Sequence, residues 1–372
     1  MAYDQRKKLI RKIEGLRGRK LISFCNFDRP SIPPNISGLT TQIASDTKEA
    51  LFRVLKESCK ESDKLDILLY TRGGDTNSVW PIACLIREFD PNFEVLVPFR
   101  AHSSGTLLSL AAKTIIMTRL GELSPIDPTT GNQFNPIDID KKSRLGISVE
   151  DVSAYEKYFH QAFGHEENEK LSPKNKRDFK EDIKPFLNRL IEEIHPLALG
   201  NVHRVHLQIR QLARMLLEFH DYKGRNVQNI IEKLTTKYYS HLHMIGRNEA
   251  IDLLGRQVQK SSDDLELQLD KLLRQYEDDF ALRKPFFASA FMEDNLSKDL
   301  TFVGGVVEST VWGYKFQTKG KLSQFSDLPP NVQVQLPPGQ QMPIVKGLPR
   351  KYLLDINFQG WVRNKKPEGV TL

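Results

Sequence analysis

Two short stretches hold the residue types from which acyl-transfer chemistry can be built: "YTRGGD" (70–75) and "FRAHSSG" (99–105). Ser103 and Ser104 stand at the head of an apolar run, and a serine hydroxyl that attacks a carbonyl creates an oxyanion. Gly73 and Gly74 lack side chains, so a carbonyl can approach their backbone N–H groups closely. If Ser103 attacks, the N–H groups of Gly73 and Ser104 can serve as an oxyanion hole, and losing one such donor costs about 10²–10³ in rate. A plainer reading competes. Serine before an apolar helix is commonly an N-cap, and Gly-Gly after a strand is commonly a turn. Residue types alone favour the plainer reading.

The elements around these stretches must bring them together. "LDILLYT" (65–71) and "FEVLVPF" (93–99) are apolar on both faces, as buried strands are, and "TIIMT" (114–118) is a third. "NSVWPIACLIREF" (77–89) reads as a helix with Pro81 in its first turn, and 103–113 as another. Strands alternating with helices at this spacing mean βαβ units and a parallel sheet. In such a sheet, loops at the carboxyl ends of the strands line the ligand crevice, so both stretches belong on the functional edge. Before them come a strand at "KLISFCNF" (20–27), a Pro/Gly loop at 28–38 and a helix within 40–60.

Beyond residue 148 the character changes. Residues 149–280 are rich in helical periodicity, with a break expected near Pro196–Gly200. "SDDLELQLDKLLRQYEDDF" (262–280) starts with a Ser262 cap and buries Leu265, Leu269, Leu272, Leu273 and Tyr276 on one face. Residues 281–372 are rich in Pro, Gly and strand formers and read as a small β-rich addition. The expected division is therefore a basic helix at 1–20, an α/β core at 21–148, a helical part at 149–280 and a β-rich region at 281–372.

With 39% hydrophobic and 27% charged residues among 372, a packed core is expected. Cys25, Cys59 and Cys84 have no metal-type spacing and read as free thiols in a reducing compartment. No run of 18 apolar residues occurs, and the start lacks the apolar stretch of a secretory signal, so a cytoplasmic location is expected. Of the net charge of +7, residues 1–20 hold +6, from eight Lys or Arg against Asp4 and Glu14. Leu9, Ile10, Ile13 and Leu16 share one helical face there. The preferred reading is a helix packed on the body; contact with an anionic membrane surface or nucleic acid is the alternative.

Taken in order, Thr71-Arg72-Gly73-Gly74, Val97-Pro98, Ala101-His102-Ser103-Ser104-Gly105-Thr106, the strand Thr114–Thr118 and Ser124-Pro125-Ile126-Asp127-Pro128 resemble the serine dehydrogenase proteinase family. That family belongs with signal peptide peptidase A and the Clp-type peptidases in the Clp/crotonase-like superfamily. The resemblance covers roughly residues 15–256. It implies a Clp/crotonase-like α/β fold, a homo-oligomer of three or more subunits, and a serine peptidase acting on protein or peptide without a cofactor. It carries the nucleophile to Ser103 and the oxyanion donors to Gly73 and Ser104, with Gly74 beside them. Arg72, His102 and Ser104 depart from the family's usual Pro, small or apolar residue, and Gly or Ala.

Serine needs a base. Clp-type peptidases have a histidine about one strand later, where this chain has "ELSPIDP" and none. Related membrane-associated peptidases use a lysine some forty residues on, and Lys141 and Lys142 lie 38 and 39 residues beyond Ser103. Their neighbours Asp138 and Asp140 fit a solvated turn equally well. His102, His203 and His206 are further options. No metal site is expected, because His203 and His206 have no third ligand at suitable spacing. Two rivals remain open: a catalytically degenerate interaction scaffold, and a crotonase-like acyl-CoA enzyme that polarises a thioester with two N–H groups.

Overall fold

The computed structural model describes residues 2–126 apart from 35, 37 and 40; 129, 130, 133–138, 143–148, 151, 152, 154, 155 and 158; 184–220 apart from 187 and 191; 227–327 apart from 239 and 241; and 344–364 apart from 346. In chain order, helix α1 (Ala2–Arg17) leads to β1 (Lys20–Asn26), α2 (Thr47–Ser58), β2 (Leu65–Tyr70), α3 (Val79–Phe89), β3 (Glu94–Val97) and β4 (Arg100–Ala101). Then come α4 (Ser104–Leu110), β5 (Thr114–Met117) and β6 (Glu122–Leu123). Short strands β7 (Thr129–Thr130), β8 (Ile137–Asp138), β9 (Ser143–Arg144) and β10 (Ile147–Ser148) precede α5 (Pro196–Leu217) and α6 (Val227–Glu232). The chain ends with β11 (Ile245–Gly246), α7 (Arg247–Leu254), β12 (Val258–Lys260), α8 (Asp263–Phe280), α9 (Ala288–Met292), β13 (Ser297–Glu308), β14 (Gly313–Ser326) and β15 (Arg350–Arg363).

Contacts divide the chain into two units, Met1–Leu123 with Ile245–Leu372, and Ser124–Met244. The first is built on an eight-stranded sheet in the order β12-β5-β3-β2-β1-β13-β14-β15. Strands β12, β5, β3, β2 and β1 run parallel, as the βαβ spacing requires. Every residue of β2 is buried, which is why its sequence is apolar on both faces apart from Asp66. The expected α/β core with β-rich C-terminal strands is what the structure has. Those strands make no sheet of their own, however. β13 pairs antiparallel with β1, and β14 and β15 follow, so they continue the parallel sheet at its β1 edge.

One core cluster joins Ile10 and Ile13 of α1 to Leu21, Leu68, Leu96 and Ile116 of the sheet and to Leu265, Leu269, Leu272, Leu273 and Tyr276 of α8. Ser262 caps α8 by accepting from Leu265 N at 3.3 Å. Leu272→Ala is expected to destabilise the protein by about 2–5 kcal/mol, read as a lowered urea midpoint with unchanged slope, because its burial is complete.

Three of the eight cations at the N-terminus are paired inside the protein. Arg6 is buried, donating to Glu308 at 2.7 Å and pairing with Asp279. Arg17 and Arg19 pair with Asp66 at 2.8 and 2.6 Å, at the amino end of β2. Ile10 and Ile13 are fully buried, whereas Leu16 is 51% exposed. Among the described residues no helix is long and apolar enough to cross a membrane.

In the second unit, His195 caps α5 with its ring Nδ1, which accepts from Leu197 N at 3.1 Å, and Pro196 opens the helix. The helix break expected near Pro196 is thus a helix start. α5 buries Ala198, Val202, Ile209, Leu212, Ala213, Leu216 and Leu217.

Candidate active site

The loops that follow β2 and β3 lie side by side. Thr71 and Ala101 form a parallel bridge, with Thr71 N donating to Arg100 O at 2.9 Å and His102 N to Thr71 O at 3.1 Å. The chain then turns at Gly73 and Gly74, whose φ angles of 109° and 148° suit glycine. A Cβ on Gly73 would lie 2.8 Å from Ser103 Cβ, 2.9 Å from His102 O and 3.2 Å from Ser104 N. On Gly74 it would collide with the backbone of Ile43, at 2.3 Å. The bare Gly73 is therefore what lets the two loops meet, and the bare Gly74 what lets the segment at Ile43 pack on the turn.

Ser103 sits immediately before α4 with φ 50° and ψ −111°, outside the helical and extended regions. Such a conformation in a non-glycine residue stores about 1–3 kcal/mol and persists only where its surroundings impose it. Its side chain makes no capping hydrogen bond to α4. The plain N-cap reading of this serine therefore fails on geometry. Within residues 101–110 Ser103 alone is partly exposed; the rest are buried. Ser104 is one of these, and its hydroxyl donates to Gly74 O at 2.7 Å. That hydroxyl ties the glycine turn to α4, and its backbone N–H lies next to Gly73.

The amide of Gly73 is engaged. It donates to Thr71 Oγ1 at 3.0 Å, and Thr71 Oγ1 donates in turn to Asn26 Oδ1 at 3.0 Å. An oxyanion bound there must draw this N–H away from Thr71 or share it.

Charged groups ring the loops. Asp28, almost fully buried, accepts from Arg72 Nε at 2.9 Å, Arg100 at 2.6 Å and Tyr70 OH at 2.6 Å. Glu122 accepts from Arg100 Nε at 3.3 Å and lies 3.7 Å from His102 Nε2. Burial opposes the charge on Arg100 most, but Asp28, Tyr70 and Glu122 together outweigh it and hold the guanidinium pKa above its ordinary value. Burial, reinforced by Asp28, pushes the Tyr70 hydroxyl far up, so it stays protonated and is no base at neutral pH. Arg72 is 59% exposed, so the guanidinium that stands where the resemblance expects Pro faces solvent in part.

Other nucleophiles are unfavourable. Burial pushes the Cys59 thiol up to about 12 and raises Cys25 and Cys84 as well, so none is a ready thiolate. His203 and His206 lie on α5 in the second unit, where burial, then Arg210 and His203, lower the His206 pKa. Lys141, Lys142, Asp127 and Pro128 lie outside the described residues. Among the described residues no group of three or more His, Cys, Asp or Glu is arranged to hold a metal ion.

The sequence motifs assign no role to Asp28 or to the hydroxyl of Thr71. Asp28 follows β1 at the same carboxyl edge that pointed to Gly73 and Ser103, so the parallel-sheet rule extended to it as well.

Residues 1–151 match the model of a family described as ClpP-like SDH-type serine proteinases. Two uncharacterized proteins of Methanocaldococcus jannaschii are similar. One is 28% identical over 153 residues, 41% of this chain and 52% of that protein. The other is 29% identical over 109 residues, 29% of this chain and 38% of that protein. The chain thus spans about half or less of the length of these curated relatives. Similar solved structures include a substrate-peptide complex of a mutant of the membrane-bound stomatin-specific protease 1510-N, 17% identical, covering 61% of this chain and 74% of that one at TM-score 0.34. A ClpP1 mutant from Listeria monocytogenes is 12% identical and covers 68% of this chain and 99% of that one at TM-score 0.35.

Proposed function

We propose that this chain, whose residues 1–151 match the ClpP-like SDH-type serine proteinases, is a serine endopeptidase with Ser103 as its nucleophile. One observation carries the reading most of the way: Ser103 is held at φ 50° directly against Gly73, although nothing in helix capping needs that conformation. In the proposed reaction Ser103 Oγ adds to a peptide carbonyl, and a neutral Lys142 or Lys141 takes the hydroxyl proton. The N–H groups of Gly73 and Ser104 hold the oxyanion, beside Gly74, as the Thr71 hydroxyl yields the Gly73 amide. Collapse expels the amine, which receives the proton from the lysine. Water, deprotonated by the same lysine, then hydrolyses the acyl ester and restores Ser103. A lysine near pH 7 must be desolvated to do this.

The substrate is a protein or peptide, and no cofactor is needed for these steps. By the family resemblance we extend the proposal to a homo-oligomer of three or more subunits. Three unpaired cysteines fit a reducing, cytoplasmic setting. Membrane or nucleic-acid contact through residues 1–20 has less to draw on, because Arg6, Arg17 and Arg19 are already paired.

A fluorophosphonate probe tests the nucleophile. Wild-type protein is expected to label at Ser103, and Ser103→Ala is expected not to label. If the wild type resists every serine-directed reagent, the peptidase reading fails and the scaffold reading replaces it. Acyl-CoA turnover that survives in Ser103→Ala would point to the crotonase-like alternative.

A further inference from the structure

Next to the glycine turn, the segment around Ile43 meets the face of β14 and β15 that bears Phe316 and Trp361. A cavity of ≈ 270 Å³ opens there, with those two rings, Gln359, Asp46 and Asp75 in its lining. The rings of Phe316 and Trp361 meet edge to face, 5.5 Å between centroids and 72° apart. The backbone of Ile43 links the cavity to the candidate catalytic loop: its N–H donates to Gly73 O at 2.9 Å, and its carbonyl accepts from Asp75 N at 2.8 Å.

Three features of the lining bear on a ligand. Asp46 heads α2 without making a capping hydrogen bond from its side chain. Asp75 caps the short 3-10 turn Thr76–Ser78, accepting from Asn77 N at 3.0 Å and Ser78 Oγ at 2.7 Å, which fixes its carboxylate. Neither carboxylate forms an ion pair among the described residues. The indole Nε1 of Trp361 is buried and has no hydrogen-bond partner there. A buried donor without an acceptor costs free energy, so an acceptor at this place gains more than an ordinary hydrogen bond would.

These groups ask for a ligand of mixed character. Two unpaired carboxylates and two aromatic rings favour a cation, with an apolar stem lying along the rings. The indole N–H needs an acceptor, which a cation lacks and a peptide carbonyl supplies. We infer that this cavity is a subsite for a basic residue of a polypeptide substrate, taking a Lys or Arg side chain with the main-chain carbonyl on Trp361. The inference rests on the peptidase reading for its purpose, since the cavity adjoins the turn that abuts Ser103. Its binding chemistry does not depend on that reading. Arg72 pairs with Asp28 at 2.9 Å, which moderates its repulsion of the cation.

The test uses the full chain carrying Ser103→Ala, so that bound peptide is not consumed. Fluorescence anisotropy compares a fluorescein-labelled decapeptide holding one Lys among neutral residues with its norleucine counterpart. The Lys peptide is expected to bind about 10-fold more tightly. Asp46→Asn and Asp75→Asn are each expected to reduce that preference, and Trp361→Leu to remove it. Trp361→Phe is expected to keep the preference while weakening both peptides, because only the N–H is lost. Asp46→Asn stands outside the turn that Asp75 shapes, so it remains informative if Asp75→Asn misfolds. Equal binding of the two peptides, no binding of either, or a preference indifferent to Asp46→Asn and Trp361→Leu overturns the subsite. If the wild type labels with fluorophosphonate but shows no such preference, the subsite fails and the peptidase stands. A preference without labelling gives the reverse.

Discussion

Gly73→Ala is expected to lower peptide hydrolysis by at least about 10²–10³-fold while the protein stays folded. The substitution adds one methyl group in the worst available place. At φ 109° an L-residue is strained whatever the space, so the turn must rotate to accept it. The added Cβ would also lie 2.8 Å from Ser103 Cβ and 2.9 Å from His102 O, closer than packed atoms come. Either the oxyanion donor or the nucleophile must move, and catalysis tolerates neither at the ångström scale. Comparison of kcat with the wild type, alongside circular dichroism and the thermal midpoint, separates loss of the site from loss of the fold. Full activity in Gly73→Ala would remove Gly73 from the proposed oxyanion hole. Ser103 sets a further expectation: slowed fluorophosphonate labelling in Gly73→Ala would show that the glycine also holds the serine in place.

The contrast between what the sequence discloses and what it withholds follows the range of the interactions. α8 was legible down to its five buried residues and its Ser262 cap, because periodicity and capping are local. The parallel strands were legible because β2 and β3 are apolar on both faces. On α1 the same periodicity found Ile10 and Ile13 but also named Leu16, which is half exposed, and it missed Arg6. Nothing local marks Arg6 as buried, since its partner Glu308 lies 302 residues away. The C-terminal strands were legible as strands, but their antiparallel pairing on β1 is a long-range choice that composition does not encode. At the candidate site, the juxtaposition of Gly73 with Ser103 followed from strand order, and the choice of Ser103 over Ser104 from the family resemblance. The backbone twist of Ser103 and the engagement of the Gly73 amide by Thr71 were invisible, because both depend on loops that meet only in the fold.

Arg6→Met is expected to destabilise the protein by about 3–5 kcal/mol, the largest stability loss foreseen for a single change in α1. Arg6 is 2% exposed and Glu308 is fully buried, and Tyr276 OH donates to the same carboxylate at 2.7 Å. The guanidinium also lies 4.7 Å from the centroid of the Phe280 ring. Burial opposes its charge most, yet Glu308, Tyr276 and Asp279 together outweigh that and keep its pKa above the ordinary value. Removing Arg6 leaves Glu308 as a buried carboxylate with no cation and Asp279 nearby. Urea denaturation should show this deficit as a lowered midpoint with unchanged slope. Adding Glu308→Gln should recover part of it, because the uncompensated buried charge is then gone. A deficit that is small, or that Glu308→Gln leaves unchanged, would mean that Glu308 finds another partner. The same contacts decide how the surface of α1 can be probed. Deleting residues 1–20 would take Ile10, Ile13 and Arg6 from the core, so lost binding to vesicles or nucleic acid would report unfolding. Charge reversal at the exposed Lys8, Arg11 and Lys12 leaves those core contacts in place and isolates the surface charge.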